Sequence, residues 1–511
     1  MANYIMMQGT SSHVGKSILV TALCRIFSQD GKKVVPFKAQ NMALNSYVTT
    51  DGKEMGRAQV AQAEAARLEP MVDMNPVLLK PTGSSCSQVI LMGKSVGNMS
   101  AREYHKGYSL KAFSTVTEAL DRLDRDYETI VIEGAGSPAE VNLKANDIVN
   151  MRVAKYLKAP VLLIADIDRG GALASLVGTL ELLDEEERAL VKGLVINKFR
   201  GDITLLQPAI DFLEKKTGKP VLGVIPHIEH IGIDDEDSVS LEEKKLIPKS
   251  GGDIRIAVIQ TPKISNFTDF DCLADETDVS LYYVQDAAEI GDPDLIILPG
   301  SKNTTEDLLY LRRSGIETKI KEKIAGGTPV IGICGGYQML GREIFDPYHT
   351  ESSHDRVQGM NLLAMQTTFS KDKLTSQVTA NCAKLHFAGA DITAANLRGY
   401  EIHMGKTDFF ANADRHPFTI IERSNERCDY PEGICRADGL VLGMYIHGIF
   451  DNDSFRRLTI NALRQRKGLV PLESVVNTYA KKQQNYNRLA DTVRQNLNME
   501  KLKMIMDAAK K

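Results

Sequence analysis

At 511 residues the chain is too long for one hydrophobic core, so two or three domains are expected. Its 43% hydrophobic and 25% charged content is that of an ordinary folded protein, and a formal net charge of -4 leaves no basic excess to neutralise nucleic-acid phosphates. No run approaches the roughly 20 apolar residues that span a bilayer, the start NYIMMQGTSSHVGKS reads as a strand entering a loop and not a signal peptide, and seven scattered cysteines without a C-x-x-C pair suit a reducing cytoplasm.

Short apolar runs alternate with longer amphipathic stretches, the pattern of βαβ units on a parallel sheet. In the first half, strands are expected at 4–8, 34–37, 129–133, 160–164, 193–196 and 221–225, with helices at 16–29 and 57–68 between them. A charged, apolar-poor stretch, DDEDSVSLEEKKLIPKSGG, then reads as a linker. Strands resume at 254–260, 295–298 and 330–333, and from Phe455 onward the chain reads as helical and polar. The expected division is 1–235, a linker at 236–252, a second domain at 253–455 and a helical extension at 456–511.

The first strand runs into Gly9-Thr10-Ser-Ser-His-Val-Gly15-Lys16-Ser17 and then a helix. A Gly-rich turn at a helix N-terminus lets backbone N–H groups close around phosphates, with Lys16 toward the β/γ-phosphates and Ser17 on Mg²⁺. Five residues separate the glycines, one more than in the strict motif, and Thr10 stands where its first Gly would be. The variant resembles the dethiobiotin-synthetase-like branch of P-loop proteins; the signature Lys of partitioning ATPases would fall at Ser11 and is absent. Glu133 ends the strand before Gly134-Ala-Gly136, at the edge where open α/β sheets bind ligands. It is either a carboxylate for Mg²⁺ or a strand-terminal Glu in a solvated turn, and beside Lys16 the metal role is preferred. Asn197, after another strand, carries an amide able to read a purine edge.

Gly332-Ile-Cys334-Gly335-Gly336 follows a buried strand and precedes a helix. This elbow presents the sulfur at a helix N-terminus, favours thiolate, and points the Gly335 N–H toward an oxyanion. Gly300 and Ser301, in the turn after strand 295–298, are candidates for a second oxyanion donor. Thiolate chemistry needs an acid/base partner: His447 and His403 both qualify on residue chemistry, with a slight preference for His447.

Taken together, Gly9–Ser17, FKAQNM, GRAQVAQAEAA, NPVLLKP, EGAGSPAE, DIVNM, ADIDRGG, NKFRGD, LPGSKNT, the Cys334 elbow, GYEIHMG and YIHGIFD resemble the cobyric acid synthase family over nearly the whole chain. The resemblance implies an α/β P-loop NTPase-like domain with a parallel sheet, followed by a flavodoxin-like class I glutamine amidotransferase domain. It implies ATP- and glutamine-dependent amidation of the b, d, e and g carboxylates of adenosyl-cobyrinic acid a,c-diamide through acyl phosphates, with Mg²⁺. It makes Cys334 the glutaminase nucleophile and His447, not His403, its acid/base. The H-x-E of other class I glutaminases is replaced, Ile449 standing two residues beyond His447; Glu401 is the candidate for the missing orienting group. Glu140 and Asp147, in the polar 137–151 loop, are candidates for the acyl-phosphate end. The expected partners are corrinoid, ATP and glutamine in the cytoplasm, with neither nucleic acid nor membrane; a homo-oligomer is compatible with this. The alternatives are a cobyrinic acid a,c-diamide synthase and a regulatory or partitioning ATPase with a degenerate glutaminase-like domain.

Overall fold

The computed structural model describes residues 2–83, 85–229, 231–233, 251–410, 416–473 and 476–509. Residues 236–250 of the expected linker lie outside the described residues.

The first half is built on six parallel strands in the order Val221–Pro226, Val191–Phe199, Val161–Asp166, Asn3–Gly9, Thr129–Glu133 and Val34–Phe37. Successive side chains of a strand enter opposite cores. Ile5 and Met7 pack with Leu19 and Leu23 of helix Lys16–Gln29, whereas Met6 packs with Val116 of helix Ser109–Asp126. With both faces covered, the inner strands read as unbroken apolar runs.

The second half repeats the principle. Its sheet runs Val279–Val284, Ile254–Ile259, Leu295–Leu298, Val330–Ile333 and Val441–Met444, all parallel, with Ile434–Cys435 antiparallel at the edge. Helix Asp453–Arg466 packs into this core through Phe455, Ile460 and Leu463. The last helices return to the first half: Tyr486, Leu489 and Val493 of Thr478–Asn496 join the core around Lys16–Gln29, and Leu502 of Met499–Ala508 follows.

Several elements have no counterpart among the expected ones, and two of these are large. A sheet of Gln40–Met42, Val77–Gly83, Cys86–Leu91 and Lys94–Ser100 is inserted into the first half. A long hairpin, Met365–Phe387 with Ala390–Phe409, rises from the second half. The hairpin alternates buried with half-exposed residues along much of its length, and the inserted sheet ends in the largely exposed strand Lys94–Ser100, so neither shows the series of unbroken apolar runs that marks doubly covered strands. The hairpin meets the two-stranded ribbon Ser46–Val48/Glu54–Gly56 of the first half, where the buried Glu54 carboxylate pairs with Lys80 Nζ at 2.8 Å and with Lys373 from the hairpin.

Candidate active sites

The phosphate-type loop leaves the sheet at Gly9, is tied back by Thr10 N–H donating to Ile164 O at 2.9 Å, and enters its helix through Gly15 at φ +96°. A Cβ on Gly15 would stand 2.1 Å from Asn197 Nδ2, so both conformation and space require glycine. Lys16 Nζ donates to Ser11 O at 2.9 Å and Gly136 O at 3.1 Å, which holds the ammonium across the loop mouth. Ser17 Oγ donates to Glu133 Oε1 at 2.8 Å.

Glu133 is fully buried at the strand end, not solvated in a turn. Lys38 Nζ reaches Oε1 at 2.8 Å and Gln62 Nε2 reaches Oε2 at 2.6 Å. A buried carboxylate needs such partners, and neither residue was expected from its position, although FKAQNM and GRAQVAQAEAA contain them. The Ser17 hydroxyl and Glu133 carboxylate converge as hard oxygen donors and fit an ion such as Mg²⁺, which takes one or two protein ligands and completes its shell with phosphate and water.

Asn197 Nδ2 donates to Val14 O at 2.8 Å, which braces the loop, and the residue lines the same cavity as Lys16 and Ser17. Asp147 also has structural duties: its two oxygens accept from Val149 N at 3.1 Å and Asn150 N at 3.0 Å, and burial raises its pKa. Glu140 is exposed. Both line a cavity of about 2030 Å³ that reaches from Gly15, Lys16 and Ser17 to Tyr283 of the second half and Arg488 of the C-terminal helix.

In the second half, Cys334 sits between strand Val330–Ile333 and helix Gly335–Leu340 at φ 51° and ψ −106°. Such a backbone is costly for a residue with a Cβ and persists only where the surroundings enforce it. They do: a Cβ on Gly336 would lie 2.1 Å from Leu298 O, and one on Gly332 would lie 2.8 Å from Gly336 C. Ser301 N is 2.7 Å from where a Cβ on Gly335 would stand, and Gly300 lies against the His447 ring. The backbone of 300–301 and that of Gly335 therefore converge beside the elbow.

His447 is buried beside Cys334, whose Sγ donates to Ile402 O at 3.6 Å, and the sulfur is among the groups that raise the imidazole pKa. Its Nδ1 lies 2.6 Å from Asp269 Oδ2, and the other Asp269 oxygen accepts from Gly448 N at 3.2 Å. With Nδ1 turned to the carboxylate, Nε2 is left for the sulfur. Burial lowers the imidazole pKa, but the Asp269 carboxylate and Cys334 outweigh it and raise the value to about 10.

Glu401 does not orient His447. Its carboxylate is taken by Arg423 at 2.9 and 3.1 Å, and Asp269 holds the imidazole instead. His403 stacks on Tyr445 at 3.7 Å between centroids, and burial pushes its pKa down to about 3, so it stays neutral. Asp269 lies in none of the stretches singled out in the sequence; its local signal is an acid set between Phe267 and Phe270 on a short buried turn.

Residues 5–239 match the CobQ/CobB/MinD/ParA nucleotide binding domain, and residues 255–455 match the CobB/CobQ-like glutamine amidotransferase domain. The cobyric acid synthase of Moorella thermoacetica is 53% identical over 99% of this chain and 98% of its own length. The chain belongs to the cobyric acid synthase family. Relatives of the same name from Pelotomaculum thermopropionicum and Desulfitobacterium hafniense are 54% and 52% identical, each over 98% of this chain and over 96% and 97% of their own lengths. Like them, the chain is a glutamine-dependent amidoligase, with a P-loop-type nucleotide-binding half followed by a glutamine amidotransferase half. Among the described residues no helix is long and apolar enough to cross a membrane.

Proposed function

We propose that the chain converts adenosyl-cobyrinic acid a,c-diamide to adenosylcobyric acid in cobalamin biosynthesis, amidating the b, d, e and g carboxylates with one ATP and one glutamine each. The observation that carries this reading is the elbow cysteine Cys334 beside His447, whose imidazole is hydrogen-bonded to Asp269, in the same chain as a lysine-bearing phosphate loop that opens on a cavity large enough for nucleotide and macrocycle.

At the thiol site, the Cys334 thiolate attacks the glutamine amide carbon. The oxyanion is received by the backbone N–H groups of Gly335 and of the 300–301 turn. Imidazolium at His447 gives its proton to the leaving nitrogen, ammonia departs, and a thioester remains. Neutral His447 then takes a proton from water, which cleaves the thioester to glutamate and restores the thiol.

At the other site, a corrinoid carboxylate oxygen attacks the γ-phosphorus of ATP and ADP leaves. Lys16 and the N–H groups of the Gly9–Gly15 loop bear the charge that develops on the phosphoryl oxygens. Mg²⁺, held by Ser17 with Glu133 beside it, would neutralise phosphate charge there. Ammonia attacks the acyl phosphate carbon, the C–O bond to phosphate breaks, and amide and inorganic phosphate result. Glu140 and Asp147 stand on the cavity wall where the activated carboxylate would lie. Residues 1–235 would carry carboxylate activation and 253–455 glutamine hydrolysis; within 456–511, the rest of helix Asp453–Arg466 packs with the second half and helices Thr478–Asn496 and Met499–Ala508 with the first.

Cys334→Ala tests the reading. It is expected to abolish glutamine hydrolysis and glutamine-dependent amidation while ammonium-supported amidation continues; retained glutamine-dependent activity would overturn the mechanism.

A further inference from the structure

His447 is held on two sides, and both holds trace to the opposite half of the molecule. On its edge is Asp269, carried by the turn Phe267–Phe270, whose N-cap is Asn266 at φ 53°. On its face lies Tyr400, stacked at 5.1 Å between centroids and 16° between planes, with the two backbones bridged by Tyr400 N to His447 O at 3.1 Å and His447 N to Tyr400 O at 2.8 Å.

Neither the turn nor the ring is fixed by the glutaminase half alone. The Tyr400 hydroxyl donates to Ser46 O at 3.2 Å and accepts from Asn266 Nδ2 at 3.1 Å. Asn266 Oδ1 in turn accepts from Ser46 N at 3.1 Å, and Asn45 Oδ1 accepts from Phe267 N at 3.2 Å. The Tyr47 ring lies 5.3 Å from that of Tyr400, with the Arg57 guanidinium 5.2 Å from the Tyr47 centroid. The four hydrogen bonds are buried, where a lost partner costs more than at a surface.

From these contacts we infer that Tyr400 is a positioning residue for His447 and that residues 45–47 of the nucleotide-binding half complete the glutaminase site. The ring limits rotation of the imidazole out of the line between Asp269 and Cys334, and its own placement is read from the Ser46 backbone. The same ribbon, Ser46–Val48 with Glu54–Gly56, continues directly into helix Arg57–Ala65, whose Gln62 donates to Glu133 beside Ser17. A shift of that helix at the phosphate loop thus reaches His447 through one short, packed segment. Undocked from residues 45–47, the glutaminase half keeps Cys334 but loses the fixed geometry that proton transfer requires.

The inference rests on the glutaminase reading of Cys334 and His447. It is tested on the full chain with Tyr400→Phe, Tyr400→Leu and, from the other half, Asn45→Ala. Three quantities are measured: kcat and KM for glutamine hydrolysis, the pH dependence of Cys334 alkylation by iodoacetamide, and ammonium-supported amidation. The Phe variant keeps the stack and loses the anchor, so kcat falls about tenfold, equivalent to about 1.4 kcal/mol. The Leu variant loses both and falls further. Asn45→Ala lowers kcat like the Phe variant, although the residue lies in the nucleotide-binding half. In each, the alkylation profile moves while KM and ammonium-supported amidation stay near wild type, a split that general loss of folded protein would not produce. Unchanged kcat and alkylation profile in Tyr400→Leu and Asn45→Ala would overturn the inference, as would equal loss of both nitrogen sources. If Cys334→Ala itself retained glutamine hydrolysis, the underlying reading would fail instead, so the two failures are distinguishable.

Discussion

Asp269 Oδ2 lies 2.6 Å from His447 Nδ1 although 178 residues separate them in the chain. This contact turns a cysteine–histidine pair into a three-member line, and it supplies the carboxylate that the residue after next from His447, Ile449, does not.

The contact fixes a pH dependence. His447 is raised above the ordinary histidine value to about 10, so its protonated form is the favoured folded species. The stability this gives is fully present below the unfolded pKa of about 6.5 and is lost as pH rises through about 10. Asp269→Asn removes the larger raising group and leaves the lowering effect of burial opposed by Cys334 alone. The alkaline limb of glutamine hydrolysis is expected to move down in pH, and kcat to fall by about 10²–10⁴. A pH–rate profile checks this; an unmoved alkaline limb would count against Asp269 as the orienting group.

Glu401→Gln is the contrasting variant. Its carboxylate serves Arg423 and not His447, so kcat for glutamine hydrolysis should change little. Loss of a buried charge-assisted pair is expected to lower stability by about 1–3 kcal/mol. Denaturant unfolding and a glutaminase assay on the same preparation separate the two effects.

Lys16→Ala is expected to block amidation from glutamine and from ammonium alike, by about a hundredfold or more, because the ammonium at the loop mouth serves carboxylate activation before either nitrogen source is used. Steady-state assays with each source decide it. Ammonium-dependent amidation near the wild-type rate would remove the loop from the mechanism.

Gly15→Ala places a methyl group 2.1 Å from Asn197 Nδ2 on a backbone at φ +96°. The loop and its brace must part, so the KM for ATP is expected to rise about tenfold or more while iodoacetamide inactivation of Cys334 is unchanged. Equal damage to both sites would indicate global destabilisation instead.

The parts legible in the sequence are those in which chemistry and geometry share one short stretch. Gly15-Lys16-Ser17 and the Cys334 elbow each put a strand end, a turn of small residues and a helix start within about ten positions, so the spacing itself carries the shape. Helix Lys16–Gln29 and strands Val34–Phe37, Thr129–Glu133, Leu295–Leu298 and Val330–Ile333 stand at their expected bounds for the same reason, being bounded apolar or amphipathic runs. Lys38, Gln62, Asp269 and Tyr400 carry no local sign of their roles because their partners come from distant segments: Lys38 and Gln62 meet Glu133 only once the first half has folded, Asp269 meets His447 only once the second has, and Tyr400 meets Ser46 only when the two halves pack. The brace from Asn197 to the loop carbonyl at Val14 has no local sign either, since the two stand 183 residues apart.

The most direct test of the central claim is mass spectrometry of adenosyl-cobyrinic acid a,c-diamide after incubation with the protein, ATP and glutamine labelled with ¹⁵N in the side-chain amide. Four added amides, all carrying the label and all dependent on Cys334, are predicted. No added amide on that substrate, or two amides formed instead at a and c on unamidated cobyrinic acid, would contradict the account.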